Sequence, residues 1–268
     1  MRTTIESATR LALFALAALA VACGGGEATD AGAVDAGFAD TGANNDVDAG
    51  VEADAGEVDA GFADSGVPEV VGVISGPCGE LDDELTSVDP STFQNAIDFP
   101  MGYTMADEDR LSDGAQEILL EGTAGGSSGL SEAFSFEVLH RCEGAVLIKT
   151  ETEVLYDPPT SKKTDILVQI ADQRIGVSVT RAVGFPRDDP YSVEQAKDLL
   201  DKKLADILVS SANVEPADAW TKQILHVIAY GPMHADSMQA AALMVDPAVR
   251  ADTILWITVT DGEDLFLY

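Results

Sequence analysis

The sequence predicts an α/β fold in which a mixed sheet is flanked by helices. Residues 145–154, 164–183 and 222–231 are rich in β-branched and other apolar residues and are bounded by turn signals, as strands are. Residues 191–211 repeat apolar side chains at the spacing of one helix face. Along 131–268 the order is helix, three strands, helix, strand, helix and two strands. That order favours one sheet covered by helices.

The first 23 residues predict a signal peptide rather than part of the fold. A start containing Arg2 and Arg10 precedes the apolar run "LALFALAALAVA" and then Cys23. The run is shorter than the about 20 residues that span a bilayer. The segment ending "AVAC" resembles the lipobox of bacterial lipoproteins, although Ala20 stands where leucine is usual. An ordinary signal peptide with a chance cysteine is the alternative.

The lipobox resemblance implies that Cys23 becomes the lipidated first residue of the mature chain. The expected location is then the cell envelope, with a lipid anchor such as palmitate in the membrane. Gly24, which follows the cysteine, favours the outer membrane. Several acyl chains would hold the protein firmly, since two already make a stable anchor.

Residues 24–66 predict a disordered acidic linker. "VDAGFADTG" at 34–42 recurs as "VDAGFADSG" at 58–66, and the intervening sequence repeats Asp-Ala-Gly. Such a tract has too few large apolar residues to offset the entropy lost on folding. Its aspartates do not follow the spacing of an EF-hand calcium loop.

Charge and cysteine content limit the partners and the compartment. The formal net charge is −32, and no Lys or Arg lies between Arg10 and Arg110. Because binding a polyanion requires basic side chains, this composition argues against a nucleic-acid partner. The expected partners are the membrane, through the lipid, and an envelope protein or ligand. Cys78 and Cys142 are the remaining cysteines, and in an exported chain they either form one disulfide or stay as separate thiols.

Residues 67–130 are predicted to be an irregular acidic lead-in, and 131–268 the α/β domain. The lead-in contains Pro77, Pro90 and Pro100, which interrupt regular structure. Its first stretch, "VPEVVGVIS", fits either a strand or an extended segment, and residues 112–122 have a short helical pattern.

Within the domain, each element has its own signal. Ser131 is a suitable cap for a helix that ends near Cys142. "ADQ" supplies the turn between the two strands of 164–183. Ser192 and Gln195 form a capping box for the longest helix. The remaining elements are a buried strand, a helix and two final strands, at 222–231, 235–245, 252–260 and 264–268.

The order of elements over 131–230 resembles the core of the PD-(D/E)XK nuclease superfamily, the restriction-endonuclease-like fold. In that family an Asp at the start of the second strand and an acidic-x-Lys on the third strand bind a divalent metal and position a water. Asp165 stands at the position of the family Asp. Ser178 and Thr180 stand where the family has its acid and its lysine.

This departure implies a non-catalytic domain that acts as a binding or structural module and needs no cofactor. The alternative is an active metal-dependent phosphodiesterase or nuclease. It would hold Mg²⁺ or Mn²⁺ with Asp165 and with Glu132 or Glu137 from the first helix, and Lys197 would replace the missing lysine. Without the resemblance, Asp165 is simply a carboxylate at the start of a strand. His226 lies inside an apolar strand and is predicted to be a core or edge residue.

Overall fold

The computed structural model describes residues 71–99, 109–123, 128–187, 189–262 and 264–268. The expected signal peptide (1–23) and linker (24–66) lie outside these ranges, as does Cys23. All described residues belong to one compact unit.

A seven-stranded mixed sheet forms the centre of this unit, with the strand order β1-β2-β7-β6-β5-β4-β3. The four strands β2, β7, β6 and β5 run parallel, whereas β1 and the pair β4 and β3 are antiparallel to their neighbours. The strands are β1 (Val73–Ser75), β2 (Thr92–Phe99), β3 (Val146–Thr150), β4 (Ile166–Ile170), β5 (Gln173–Ala182), β6 (Lys222–Ala229) and β7 (Ile254–Gly262).

Helices cover both faces of the sheet, as the sequence predicts. They are α1 (Asp113–Glu121), α2 (Gly129–Glu143), α3 (Val193–Asn213), α4 (Pro232–Ala242) and α5 (Pro247–Arg250). One core contains α1 and α2, with Phe134 and Leu139 against the sheet. The other contains α3 and α4, with Leu200 and Leu204. Each residue of β6 is buried, which is typical of a parallel strand packed on both faces.

The longest helix, α3, begins at the capping box that the sequence predicts. The Ser192 hydroxyl accepts from the Gln195 N–H, and the Gln195 side chain accepts from the Ser192 N–H at 2.8 Å. Two backbone N–H groups at the start of the helix, those of Ser192 and Gln195, thereby gain an acceptor. None of the described helices combines the length and apolar character that crossing a bilayer requires.

The described residues of the range 67–130, which are 71–99, 109–123 and 128–130, do not form the predicted irregular lead-in. Within this range β1, β2 and α1 are regular elements, and β2 is hydrogen-bonded to β7 in parallel over its whole length. The folded unit therefore extends well before residue 131. The local sequence does not identify β2, because Gln94, Asn95 and Asp98 interrupt its apolar pattern. The strand is stabilised by pairing with β7, which lies far along the chain.

The last predicted strand, 264–268, is instead a turn of 3-10 helix at Leu265–Leu267. Strand β7 already has β2 and β6 as neighbours, so it offers no free edge to a following hairpin strand. The aromatic side chains of this segment pack inward instead. The Phe266 ring lies 5.1 Å from that of Phe99 and 5.3 Å from that of Phe134.

Candidate functional site

Two carboxylates from different elements meet at the end of the sheet where β3 finishes and β4 begins. Asp165 directly precedes β4, and Glu132 lies in the first turn of α2. Their charges interact, as do those of Glu132 and Glu151, which follows β3. The structure therefore brings together two of the residues that the sequence singles out.

Asp165 is held against the neighbouring strand by two hydrogen bonds. Its backbone N–H donates to the Val177 carbonyl at 3.1 Å, and its Oδ2 accepts from the Val179 N–H at 2.5 Å. Loss of hydration raises the pKa of Asp165 to about 6, with a smaller contribution in the same direction from Glu151. The Lys203 charge and the Val179 N–H oppose this rise.

Glu132 is more deeply enclosed, with 2% of its surface exposed. Its Oε1 has no hydrogen-bond partner among the described residues, while the Ser128 side chain bonds to the carboxylate. Burial, followed by repulsion from Asp165, raises the pKa of Glu132 to about 7, although Ser128 and Lys203 act against it. Both carboxyl groups therefore gain protons at a higher pH than an ordinary carboxyl group does.

Lys203 is the basic residue of this site, and sequence reasoning missed it. It lies on α3, and its Nζ donates to the Val179 carbonyl at 3.1 Å. Its charge lowers the pKa of both Asp165 and Glu132. One feature of the sequence could have identified Lys203: it lies three residues after the buried Leu200, at the edge of the apolar face of the helix. Lys203 stands with Lys202, Asp198 and Asp201 in a charged stretch, a pattern that predicts the solvated face of the helix. For Lys203 that prediction is wrong, because its Nζ is part-buried against β5.

Lys197, which the sequence proposed in this role, lies elsewhere on α3. Its Nζ binds Asp201 one turn further along, at 2.5 Å, and 32% of its side chain is exposed. That geometry is a surface ion pair between residues four apart on a helix. The structure thus brings Lys203, rather than Lys197, to the carboxylates.

Glu137 is also buried, but it serves a different part of the molecule. Its Oε2 accepts from the Ser112 N–H at 2.9 Å, directly before α1, and its charge acts on Arg141. Glu137 therefore satisfies a backbone donor at the start of a helix whose capping residue makes no side-chain cap of its own. It is five residues from Glu132 on α2 and points to another side of that helix.

Strand β5 carries Ser178 and Thr180 beside Asp165. Val179 between them packs in the core on the α2 side, so alternation directs Ser178 and Thr180 to the α3 side. Ser178 is buried and Thr180 half-buried. Neither side chain supplies a charge. The ammonium near this point of the strand comes from Lys203.

The possible metal ligands of the described residues were compared with the needs of a metal site. No group of three or more His, Cys, Asp or Glu side chains there is arranged to hold a metal ion. Asp165 already uses Oδ2 on a backbone N–H, and the Lys203 ammonium supplies positive charge to both carboxylates.

The disulfide expected for an exported chain is present between Cys78 and Cys142. Their Cα atoms are 4.5 Å apart, and the bond closes a separation of 64 residues. It joins the segment between β1 and β2 to the last turn of α2. Glu143, next to it, accepts from the Gly79 N–H at 2.8 Å and the Leu81 N–H at 3.0 Å.

His226 is a core residue, as the sequence predicts. Its Nδ1 lies 2.7 Å from the Ser135 hydroxyl and its Nε2 lies 2.8 Å from the Thr258 hydroxyl. Since Thr258 donates its own proton to Asn95 Oδ1, the ring must donate through Nε2 and accept from Ser135. Burial lowers the pKa of His226 to about 3, so the ring is neutral.

Comparison with known proteins adds one similarity. No protein-family model matches the chain, and no solved structure matches it. The chain is 40% identical over 163 residues to the "AAC-rich mRNA clone AAC4 protein" of Dictyostelium discoideum. The matched region covers 58% of this chain and 24% of that protein, so the chain spans about a quarter of its relative.

Proposed function

We propose that this chain is an exported lipoprotein, held at the cell envelope by a lipid on Cys23, whose α/β domain works by binding rather than by catalysis. The Cys78–Cys142 disulfide supports the part of the proposal that concerns export. Disulfides persist in oxidising compartments outside the cytosol, and the apolar run before Cys23 is the matching export signal.

The arrangement of strands supports a restriction-endonuclease-like origin for the domain. Helix α2 is followed by the antiparallel set β3, β4 and β5, and then by α3 and β6, which pairs with β5 in parallel. This is the element order on which the resemblance rests. Asp165 occupies the same point in that order as the family's strand-start Asp.

The carboxylate site supports the second half of the proposal. An active member of that family needs an acidic group and a lysine on β5, where this chain has Ser178 and Thr180. Lys203 supplies an ammonium from α3, but that group is bonded to the Val179 carbonyl and offsets the charge of Asp165 and Glu132. The site is then an internal charge cluster in which the ammonium on α3 partly offsets two buried carboxylates.

The anchor is tested by Cys23→Ser in cells fed a radiolabelled fatty acid. We expect the label and the membrane fraction to lose the protein in this variant. Cys78→Ser with Cys142→Ser is the matched control, because it removes the two other cysteines and leaves the proposed lipid site. A Cys23→Ser protein that remains labelled and membrane-bound would contradict the anchor.

The non-catalytic role is tested by titrating Mg²⁺ and Mn²⁺ into the full chain by calorimetry. We expect no saturable binding at millimolar metal. Asp165→Asn and Glu132→Gln are the informative variants, and Asp172→Asn, at an exposed turn, is the control. Binding that vanishes in the first two variants only would favour the phosphodiesterase alternative, and hydrolysis of DNA and RNA would then be measured.

A further inference from the structure

The acidic tract at 24–66 contains one feature that a solvated spacer does not need. Its two aromatic residues, Phe38 and Phe62, stand at the same place in the two copies of the nine-residue repeat. The second copy ends at Gly66, shortly before the described chain begins at Val71. Because a phenyl ring gains most of its free energy by leaving water, the position of Phe62 indicates that it contacts another surface.

A surface cavity of about 820 Å³ lies at the carboxyl end of β5, where the chain turns toward α3. Its walls include Arg181, Phe185, Pro186, Arg187 and Tyr268. The volume falls within the range of binding sites in proteins. Phe185 is 97% exposed, so this loop offers an apolar ring to a ligand rather than to the core.

Two arginines give this cavity positive charge, and both are half-buried. Arg181 donates from Nη1 to the Leu267 carbonyl at 2.8 Å, and Arg187 donates from Nη2 to the main-chain oxygen of Tyr268 at 2.7 Å. Their other guanidinium nitrogens have no partner among the described residues, and none of them is among the atoms there that are sealed from solvent. These donors are therefore open to a ligand, and the planar fork of arginine suits a carboxylate.

The carboxylates around the cavity offset this charge only in part. Asp264 is buried, its Oδ2 accepts from the Thr260 hydroxyl at 2.5 Å, and its charge acts on Arg187. Asp189 and Asp261 are exposed, so water weakens their effect. One buried carboxylate against two guanidinium groups leaves an excess of positive charge, which a ligand with a single carboxylate would balance.

The second copy of the repeat can reach this cavity. Strand β1 is antiparallel to β2, so the chain before Val73 leaves at the carboxyl ends of the parallel strands, the end at which the cavity lies. Four strand spacings separate β1 from β5, or about 19 Å. Asp64 precedes Val71 by seven residues, which extend over at most about 25 Å.

We propose that residues 62–66 dock in this cavity. The Asp64 carboxylate pairs with the guanidinium groups of Arg181 and Arg187, and the Phe62 ring packs on Phe185. Residues two apart on an extended chain point to the same side, so the two contacts form together. The end of the tract is then a tethered occupant of this surface as well as a spacer. This inference depends neither on the lipid anchor nor on the metal-binding question.

Photo-cross-linking tests the docking. Benzoylphenylalanine replaces Phe62 in the full-length chain, which also carries Cys23→Ser. We expect cross-links within one chain, mapped by mass spectrometry to residues 180–187 or to Tyr268. Cross-links spread over the surface, or none, would overturn the docking. Cross-links between two chains, rising with protein concentration, would also overturn it, because the occupant would then belong to a second copy.

An arginine pair tests the charge. Arg187→Gln keeps hydrogen-bond donors but removes the charge, and we expect the cross-link yield to fall at least about threefold. Its matched control is Arg174→Gln, because Arg174 is also half-buried on β5 and donates to the Ala217 carbonyl but does not line the cavity. An unchanged yield in Arg187→Gln, or an equal fall in the control, would refute the pairing.

A second pair keeps the test decisive if Arg187→Gln fails to fold. Asp64→Lys alters no described residue and reverses the charge of the docking carboxylate, so we expect at least about a threefold lower yield. Glu57→Lys makes the same change of charge earlier in the tract, and we expect its yield to stay within about twofold of the unchanged chain. Equal yields in these two variants would refute the contact of Asp64 with the arginines.

Discussion

Replacing Glu132 by glutamine should stabilise the protein at neutral pH. Glutamine has nearly the same shape, but it removes a buried negative charge that repels Asp165. The Oε1 atom of that carboxylate has no hydrogen-bond partner among the described residues. The pKa of Glu132 rises from 4.5 to about 7 on folding. At about 1.4 kcal/mol per pKa unit, the ionised carboxylate costs about 3 kcal/mol above pH 7.

The sign of the pH dependence follows from the raised pKa. Between pH 4.5 and 7 the folded state binds more protons at Glu132 than the unfolded state, so the free energy of unfolding falls as pH rises through this window. At pH 5 the folded carboxyl is already protonated, and its cost is under about 1 kcal/mol. The gain from Glu132→Gln should therefore be about 2 kcal/mol at pH 8, allowing for imperfect amide hydrogen bonds, and near zero at pH 5.

Urea unfolding followed by circular dichroism at both pH values measures this difference. Glu137→Gln is the matched control, because Glu137 is equally buried on the same helix but accepts from the Ser112 N–H and faces the charge of Arg141. We expect no stabilisation from the control at pH 8. Equal destabilisation by Glu132→Gln at both pH values would refute the charge-burial argument.

Three further changes have expected outcomes. Lys203→Met should raise the pKa of both site carboxyls, detected by NMR titration, and lower the free energy of unfolding by about 1–2 kcal/mol. Lys197→Met should lower it by under about 1 kcal/mol, because the Lys197 ion pair is exposed. Similar losses in the two variants would contradict the assignment of Lys203 to the site. Replacing Cys78 and Cys142 by serine should lower the free energy of unfolding by about 4 kcal/mol, from the entropy of the 64-residue separation, and a loss under about 1 kcal/mol would contradict it. His226→Ala should cost at least about 3 kcal/mol in urea unfolding, because it leaves a cavity, removes the Ser135 hydroxyl's bond to the ring and takes one donor from Thr258, which keeps its bond to Asn95. A cost near zero would argue against the buried network.

Sequence patterns predicted the elements whose stability depends on local signals. The apolar run of β6 and the Ser192 capping box lie within the elements they define, so both could be identified from neighbouring residues alone. Strand β2 could not, because its polar positions Asn95 and Gln94 break the alternation and its partner β7 lies about 160 residues later. The burial of Asn95 becomes understandable only once Thr258 is opposite it in the sheet.

The residues of the candidate site also divide into those that the local sequence could identify and those that it could not. Asp165 was identifiable because a carboxylate at the mouth of an apolar strand needs an explanation, and Glu132 because it stands in the first turn of a predicted helix. The choice between Lys197 and Lys203 was not accessible, since both lie on α3 near acidic residues. Only the crossing of α3 over β5 determines that Lys203 meets the Val179 carbonyl while Lys197 pairs with Asp201.

Lys203 and Arg250 together explain how an acidic chain uses its few basic side chains inside the fold. Lys203 acts on two carboxylates, so its desolvation is offset within the protein. Arg250 has hydrogen bonds but no carboxylate among the described residues. A buried charge needs compensating groups, and Lys203 finds them in two carboxylates whereas Arg250 finds them in the Ser91 carbonyl and the Thr92 hydroxyl, which tie α5 to the start of β2.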